Sequence, residues 1–137
     1  MINDFKSLFN QNSVIINNNL VVGLSGGPDS VFLLFYIKYL KEHFGFFGLV
    51  FPIIVDHGLR IESNNEALKT KKIATKLGFV SQIIKIKDKY TSGNLQNWAR
   101  IRRREILYTV AQKHSADIVL GHQYDDQIET IYMRLMK

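Results

Sequence analysis

Ser25-Gly26-Gly27-Pro28-Asp29-Ser30 joins a short apolar run, Leu20-Val21-Val22-Gly23-Leu24, to a longer one, Val31-Phe32-Leu33-Leu34-Phe35-Tyr36-Ile37. The first run reads as a buried strand and the second as a helix reaching towards Lys41. Strand, tight turn and helix therefore meet within six residues. Gly26 and Gly27 permit positive φ and a close approach to the backbone. Pro28 suits the first helical position, where its missing N–H is no loss. Ser25 and Ser30 add hydroxyls, and the free N–H groups of the helix start make an anion site fit for a phosphate.

Asp29 sharpens that reading. A carboxylate beside a phosphate is repelled unless a divalent cation bridges them, and Mg²⁺ is usually held by one or two carboxylates plus substrate phosphates. The loop thus points to a metal–nucleotide complex. A plain glycine turn with Asp29 as a helix-start charge, worth about 0.3–1 kcal/mol, is the bland alternative. Neither G-x-x-x-x-G-K-[ST] nor G-x-G-x-x-G is present. The pattern S-G-G-x-D-S resembles the pyrophosphate loop of the ATP-pyrophosphatase (PP-loop) superfamily, whose members adenylate a carbonyl-type oxygen and release pyrophosphate.

The other segments extend the pattern. Leu49-Val50-Phe51-Pro52-Ile53-Ile54-Val55 is a continuous apolar run, expected for a strand buried on both faces. Ser63-Asn64-Asn65-Glu66 has capping-box spacing and predicts a helix through Leu77, closed by Gly78. Phe79 to Ile86 predicts a third strand. Asn94 predicts the cap of a long helix from Leu95 to His114. Asp117-Ile118-Val119-Leu120 predicts a fourth strand, ending at Gly121-His122. Asp125 or Asp126 predicts the start of a last helix carrying Ile128, Ile131, Tyr132 and Leu135, and Asn3 to Gln11 a short amphipathic helix. Alternating strands and helices imply a doubly wound α/β fold, with a parallel sheet covered on both faces. Ligands bind such sheets at the carboxyl ends of the strands.

Composition narrows the classes. The chain has 137 residues, one domain at most, and is 46% hydrophobic, enough for a core. It has no cysteine, which excludes a disulfide framework, a thiolate metal site and a cysteine nucleophile. No apolar run is long enough for a membrane span, and the N-terminus lacks a signal-peptide pattern, so a cytoplasmic protein is expected. The net charge of +6 favours anionic partners, nucleotides or nucleic acid, although a lysine-rich surface alone would account for it.

Three segments besides the glycine loop carry chemistry. Asp56-His57-Gly58-Leu59-Arg60 follows the second strand, where a backbone edge at Val55 can meet an adenine and Asp56 a ribose; the alternative is a turn with an exposed His57 and Arg60, the simpler account for His57 alone. In Gly121 to Thr130, Asp125 and Asp126 are candidate helix caps, as Glu129 is a candidate surface charge. Opposite Asp29, one carboxylate could instead share the metal or take a proton from an attacking amine. A His57/His122/Asp126 zinc site has no recognised spacing. Arg100, Arg103 and Arg104 share one side of a basic helical turn that also contains Arg102, suited to clamping phosphate from ATP or a nucleic-acid backbone.

Together these segments resemble the N-terminal domain of the tRNA(Ile)-lysidine synthetase family. The matching pieces are Ser25 to Ser30, Val55 to Arg60, Glu62-Ser63 with Glu66-Ala67, Ala99-Arg100 with Arg103, and His122 with Asp125-Asp126-Gln127 and Glu129-Thr130. The resemblance implies a Rossmann-like fold of the adenine nucleotide alpha-hydrolase type. It implies a ligase that uses ATP to adenylate the wobble cytidine of tRNA(Ile), then joins L-lysine to it to form lysidine. It further implies that Ser25, Gly26, Gly27, Pro28, Asp29 and Ser30 hold the phosphates, with Asp29 on Mg²⁺. Asp126 becomes the base or metal partner, and His122, Arg100 and Arg103 bind ATP or the activated nucleotide. Related 2-thiocytidine synthetases need cysteines that this chain lacks. The family continues beyond the point matching Lys137, so the expectation is an incomplete PP-loop domain (1–137) without tRNA-contacting domains. That domain would be half of a split enzyme completed by a separate polypeptide, a truncated gene product or a fragment of a longer chain, with a non-catalytic ATP- or RNA-binding remnant as the alternative function.

Overall fold

The computed structural model describes residues 19–24, 28–43, 48–59, 61–121 and 128–129. Strand β1 (Asn19–Leu24) leads to helix α1 (Pro28–His43), β2 (Val50–Asp56), α2 (Ser63–Lys76), β3 (Gln82–Lys85), α3 (Leu95–His114), β4 (Ala116–Gly121) and β5 (Ile128–Glu129). The strands lie in the order β3-β2-β1-β4-β5. Strands β1 to β4 are all parallel, and β5 is antiparallel to β4. The chain winds outward from β1 to β3, then returns through α3 to the other side of β1. Keeping the crossover hand while reversing direction puts α3 on the opposite face from α1 and α2.

Alternation along the strands matches this layering. Leu20, Val22, Leu24, Ile54 and Val119 pack with Leu33, Leu34, Ile37 and Leu40 of α1 and Ala67 and Ala74 of α2. Val21, Ile53, Ile118 and Leu120 pack with Leu107 and Ala111 of α3 on the other face. Gly23 belongs to this second face. A Cβ there would lie 2.4 Å from Leu120 Cδ2 and 2.8 Å from Leu107 Cδ1. The missing side chain is what lets α3 seat against the middle strand.

Local signals explain most boundaries. Pro28 opens α1. Asn94 caps α3, its side chain accepting a hydrogen bond from the Asn97 N–H at 3.1 Å. At the end of α2 the Gly78 N–H donates to Thr75 O and the Phe79 N–H to Ala74 O, with Gly78 at φ +92°. These two bonds form a complete Schellman ending. They commit Phe79 to the helix terminus, so β3 begins only at Gln82 rather than at Phe79. Helix α2 starts at Ser63, with Glu62 at the cap position and no capping bond from it. Ser63 is therefore a buried first-turn residue and not the expected N-cap.

Two expectations are corrected at the far edge. Ile128 and Glu129 are not helical: they pair with Gly121 and Leu120 as a short antiparallel strand. The sheet is therefore mixed at that edge. Tertiary pairing with an otherwise open ladder outweighs the local helical pattern. The expected helix at Asn3 to Gln11 lies outside the described residues, as does the rest of the expected last helix. Among the described residues, no helix is long and apolar enough to cross a membrane.

Candidate functional site

The strand order fixes where a ligand belongs. Crossovers leave β1 on one side and enter β4 on the other, so the carboxyl ends of these adjacent strands form a topological switch point. Leu24 ends β1 there, and Pro28 starts α1 three residues beyond the loop's first serine. Asp29 occupies the first turn of α1, whose free N–H groups and dipole favour an anion. Ser25, Gly26 and Gly27 lie outside the described residues. So do His122, Asp125 and Asp126, which in sequence directly follow β4.

Strand β2 ends beside this point. Its last residue, Asp56, is buried, and its Oδ1 accepts the Gly58 N–H at 3.0 Å. That oxygen is thus engaged in shaping the turn at the end of β2. His57 Nδ1 accepts the Leu59 N–H at 3.1 Å, leaving Nε2 as the ring's donor. Ile54, Val55, Asp56, His57, Ser63, Glu66 and Ala67 line a small cleft open to solvent. Val55 is half-buried in its wall, where an adenine edge was expected.

The arginines reach the site by another route. Helix α3 begins after the loop that follows β3 and ends at Ser115, next to Ala116, which pairs with Asn19 at the start of β1. It therefore runs opposite to the strands. Leu107, fully buried, meets Gly23 one residue before the end of β1. Arg103, Arg104 and Arg100 continue the Leu107–Ala111 stripe towards the helix start. Arg103 and Arg104 lie about 4.5 to 6 Å above Leu107 along the helix. That rise matches about one and a half to two strand residues, which brings them level with the end of β1. Both are half-buried, while Arg100 is exposed and donates to Asn97 Oδ1 at 3.1 Å.

A carboxylate is the donor type Mg²⁺ takes alongside phosphate oxygens, and the backbone of Asp29 lies in the first turn of α1. No cluster of three His, Cys, Asp or Glu occurs among the described residues. The structural roles of Gly23 and Asn19 carry no signal in local spacing, because both depend on partners distant in the chain. Asn19 Nδ2 donates to His114 O at 3.1 Å and its Oδ1 accepts the Leu49 N–H at 2.9 Å, tying three elements at the amino edge.

The family model of the PP-loop domain matches residues 1–137. The chain is 34% identical over 119 residues to the tRNA(Ile)-lysidine synthase of Bradyrhizobium sp. (strain BTAi1), covering 86% of this chain and 33% of that protein. It is 34% identical over 138 residues to the tRNA(Ile)-lysidine synthase of Clostridioides difficile (strain 630), covering 96% of this chain and 29% of that protein. The chain thus spans about a third of the length of these relatives. Its fold is similar to the U34-tRNA thiolase NcsA from Methanococcus maripaludis, with a TM-score of 0.68 at 23% identity over 83% of this chain and 42% of that one.

Proposed function

The chain belongs to the PP-loop domain family, and from that premise we propose that it binds ATP at the carboxyl ends of β1 and β4 and serves lysidine formation on tRNA(Ile). The observation that carries this reading is the contact of Leu107 with Gly23 near the end of β1, from which the half-buried Arg103 and Arg104 follow one helical turn nearer the start of α3. Similarity to lysidine synthases over 86% to 96% of the chain supports the choice of substrate. A cytoplasmic location goes with that substrate.

In this reading the N–H groups of the first turn of α1 and the hydroxyls of Ser25 and Ser30 orient the phosphates. Arg100 and Arg103 hold the α-phosphate region, and His122 supports them. Val55 borders the adenine. Asp29 holds Mg²⁺, which when bound neutralises phosphate charge. The cytidine C2 oxygen attacks the α-phosphorus, the α–β anhydride bond breaks, and pyrophosphate leaves. Asp126 then takes a proton from the lysine ε-amine. The amine attacks C2, the C2–O bond breaks, and AMP departs.

The test supplies ATP, L-lysine and a tRNA(Ile) transcript, with the chain alone and with the remaining two-thirds of a relative added in trans. AMP and lysidine formation, abolished by Asp29→Ala, is the expected result. ATP binding without AMP release under either condition would leave only a nucleotide-binding role and overturn the catalytic reading.

A further inference from the structure

The chain's positive charge is concentrated in one stretch. Between Gln82 and Arg104 the sequence holds seven cations and one carboxylate, a net of +6, equal to that of the whole chain. The fold sets this stretch on the rim of the candidate site. Lys85 ends β3 and pairs with Asp56, the last residue of β2 beside the cleft. It lies two strand spacings, roughly 10 Å, from the β1 ladder.

The loop from Lys85 to Asn94 is built on α3. Asp88 is paired with Arg102 at 3.4 Å, and Arg102 is paired in turn with Glu105 at 2.8 Å. The Tyr90 hydroxyl donates to Gly93 O. The Tyr90 ring meets Trp98 edge-on, centroids 5.7 Å apart, and remains 36% exposed. Ile86 continues the ladder, its N–H donating to Asp56 O at 2.9 Å. Lys85, Lys87 and Lys89 alternate with these anchored residues, are all exposed, and make no ion pair among the described residues.

A row of cations at period two beside an exposed ring braced by a second aromatic suits one kind of partner. Single-stranded nucleic acid offers phosphates to the row and a base face to the ring. An edge strand also uses lysine to block pairing with other sheets. That accounts for Lys85, but Lys87 and Lys89 lie beyond the ladder, and it gives no role to Tyr90. We propose that Lys85, Lys87, Lys89 and Tyr90 form a docking surface for single-stranded RNA, leading it along the β3 edge to the cleft. The proposal rests on the RNA-directed reading above but not on ATP binding.

Trp98 is the chain's one tryptophan, so its fluorescence reports on this surface directly. The experiment titrates the full chain with a single-stranded oligoribonucleotide and with an anticodon stem-loop, over a range of salt. ATP titration of each variant runs alongside as a check on folding and on the nucleotide site. Expected are a fluorescence change on saturation, roughly tenfold weaker binding in Tyr90→Ala than in Tyr90→Phe, and a salt slope shallower by about 2 in the Lys85/Lys87/Lys89→Gln variant. Unchanged RNA affinity and slope in that lysine variant would overturn the proposal. So would equal binding of polyglutamate, or aggregation of the lysine variant with its RNA binding intact. Lysine-dependent RNA binding with no ATP binding would keep this surface and refute the nucleotide reading instead.

Discussion

Gly23 shows how one absent side chain sets the spacing of the molecule. It sits in the middle strand, one residue before the end of β1, and leaves the volume that Leu107 and Leu120 fill. Gly23→Ala should overpack this face and cost about 1 to 3 kcal/mol, read as a lower urea midpoint at unchanged slope. An unchanged midpoint would mean the two leucines move aside freely. Tyr36 gives a pH prediction. Burial, with a smaller effect from the nearby Tyr39, pushes its hydroxyl up from the ordinary tyrosine value. The folded state then holds this proton more tightly than the unfolded chain. Its contribution is complete below about pH 10 and declines as pH rises through the folded value. Tyr36→Phe should remove that alkaline decline in a denaturation series. Arg103→Ala should weaken ATP binding about tenfold or more, whereas Lys113→Ala, at the far end of the same helix, should leave it unchanged.

At the scale of elements, local chemistry and tertiary demand divide the fold between them. The start of α1, the Asn94 cap and the span of α3 were legible because each depends on neighbouring residues: a proline at a helix start, a side chain bonded three residues on. Asn94→Ala should lower stability by about 1 kcal/mol. Gly78→Ala should cost a similar amount, because its backbone sits at φ +92° in the Schellman ending. Both are checked by thermal melts of the single variants. Elements set by distant partners were not legible. Phe79 looked like a strand residue, yet its N–H belongs to Ala74. Ile128 and Glu129 had helical spacing, yet the edge of β4 recruits them.

For the whole molecule, the place of the candidate site follows from winding direction. The return of α3 across the sheet places the switch point between β1 and β4 and brings Arg103 and Arg104 level with it. The sequence showed three motifs at strand ends and a basic helical turn as separate pieces. Strand order supplies the adjacency of β1 and β4, and the burial of Leu107 supplies the height of the arginines. Neither can be read from spacing alone. The most direct test of this account is calorimetric titration of ATP into the chain, with and without Mg²⁺, beside the Asp29→Ala variant. The account predicts Mg²⁺-dependent binding that the variant loses while remaining folded. ATP binding that is indifferent to Mg²⁺ and to Asp29, or no binding to the folded chain, would contradict it.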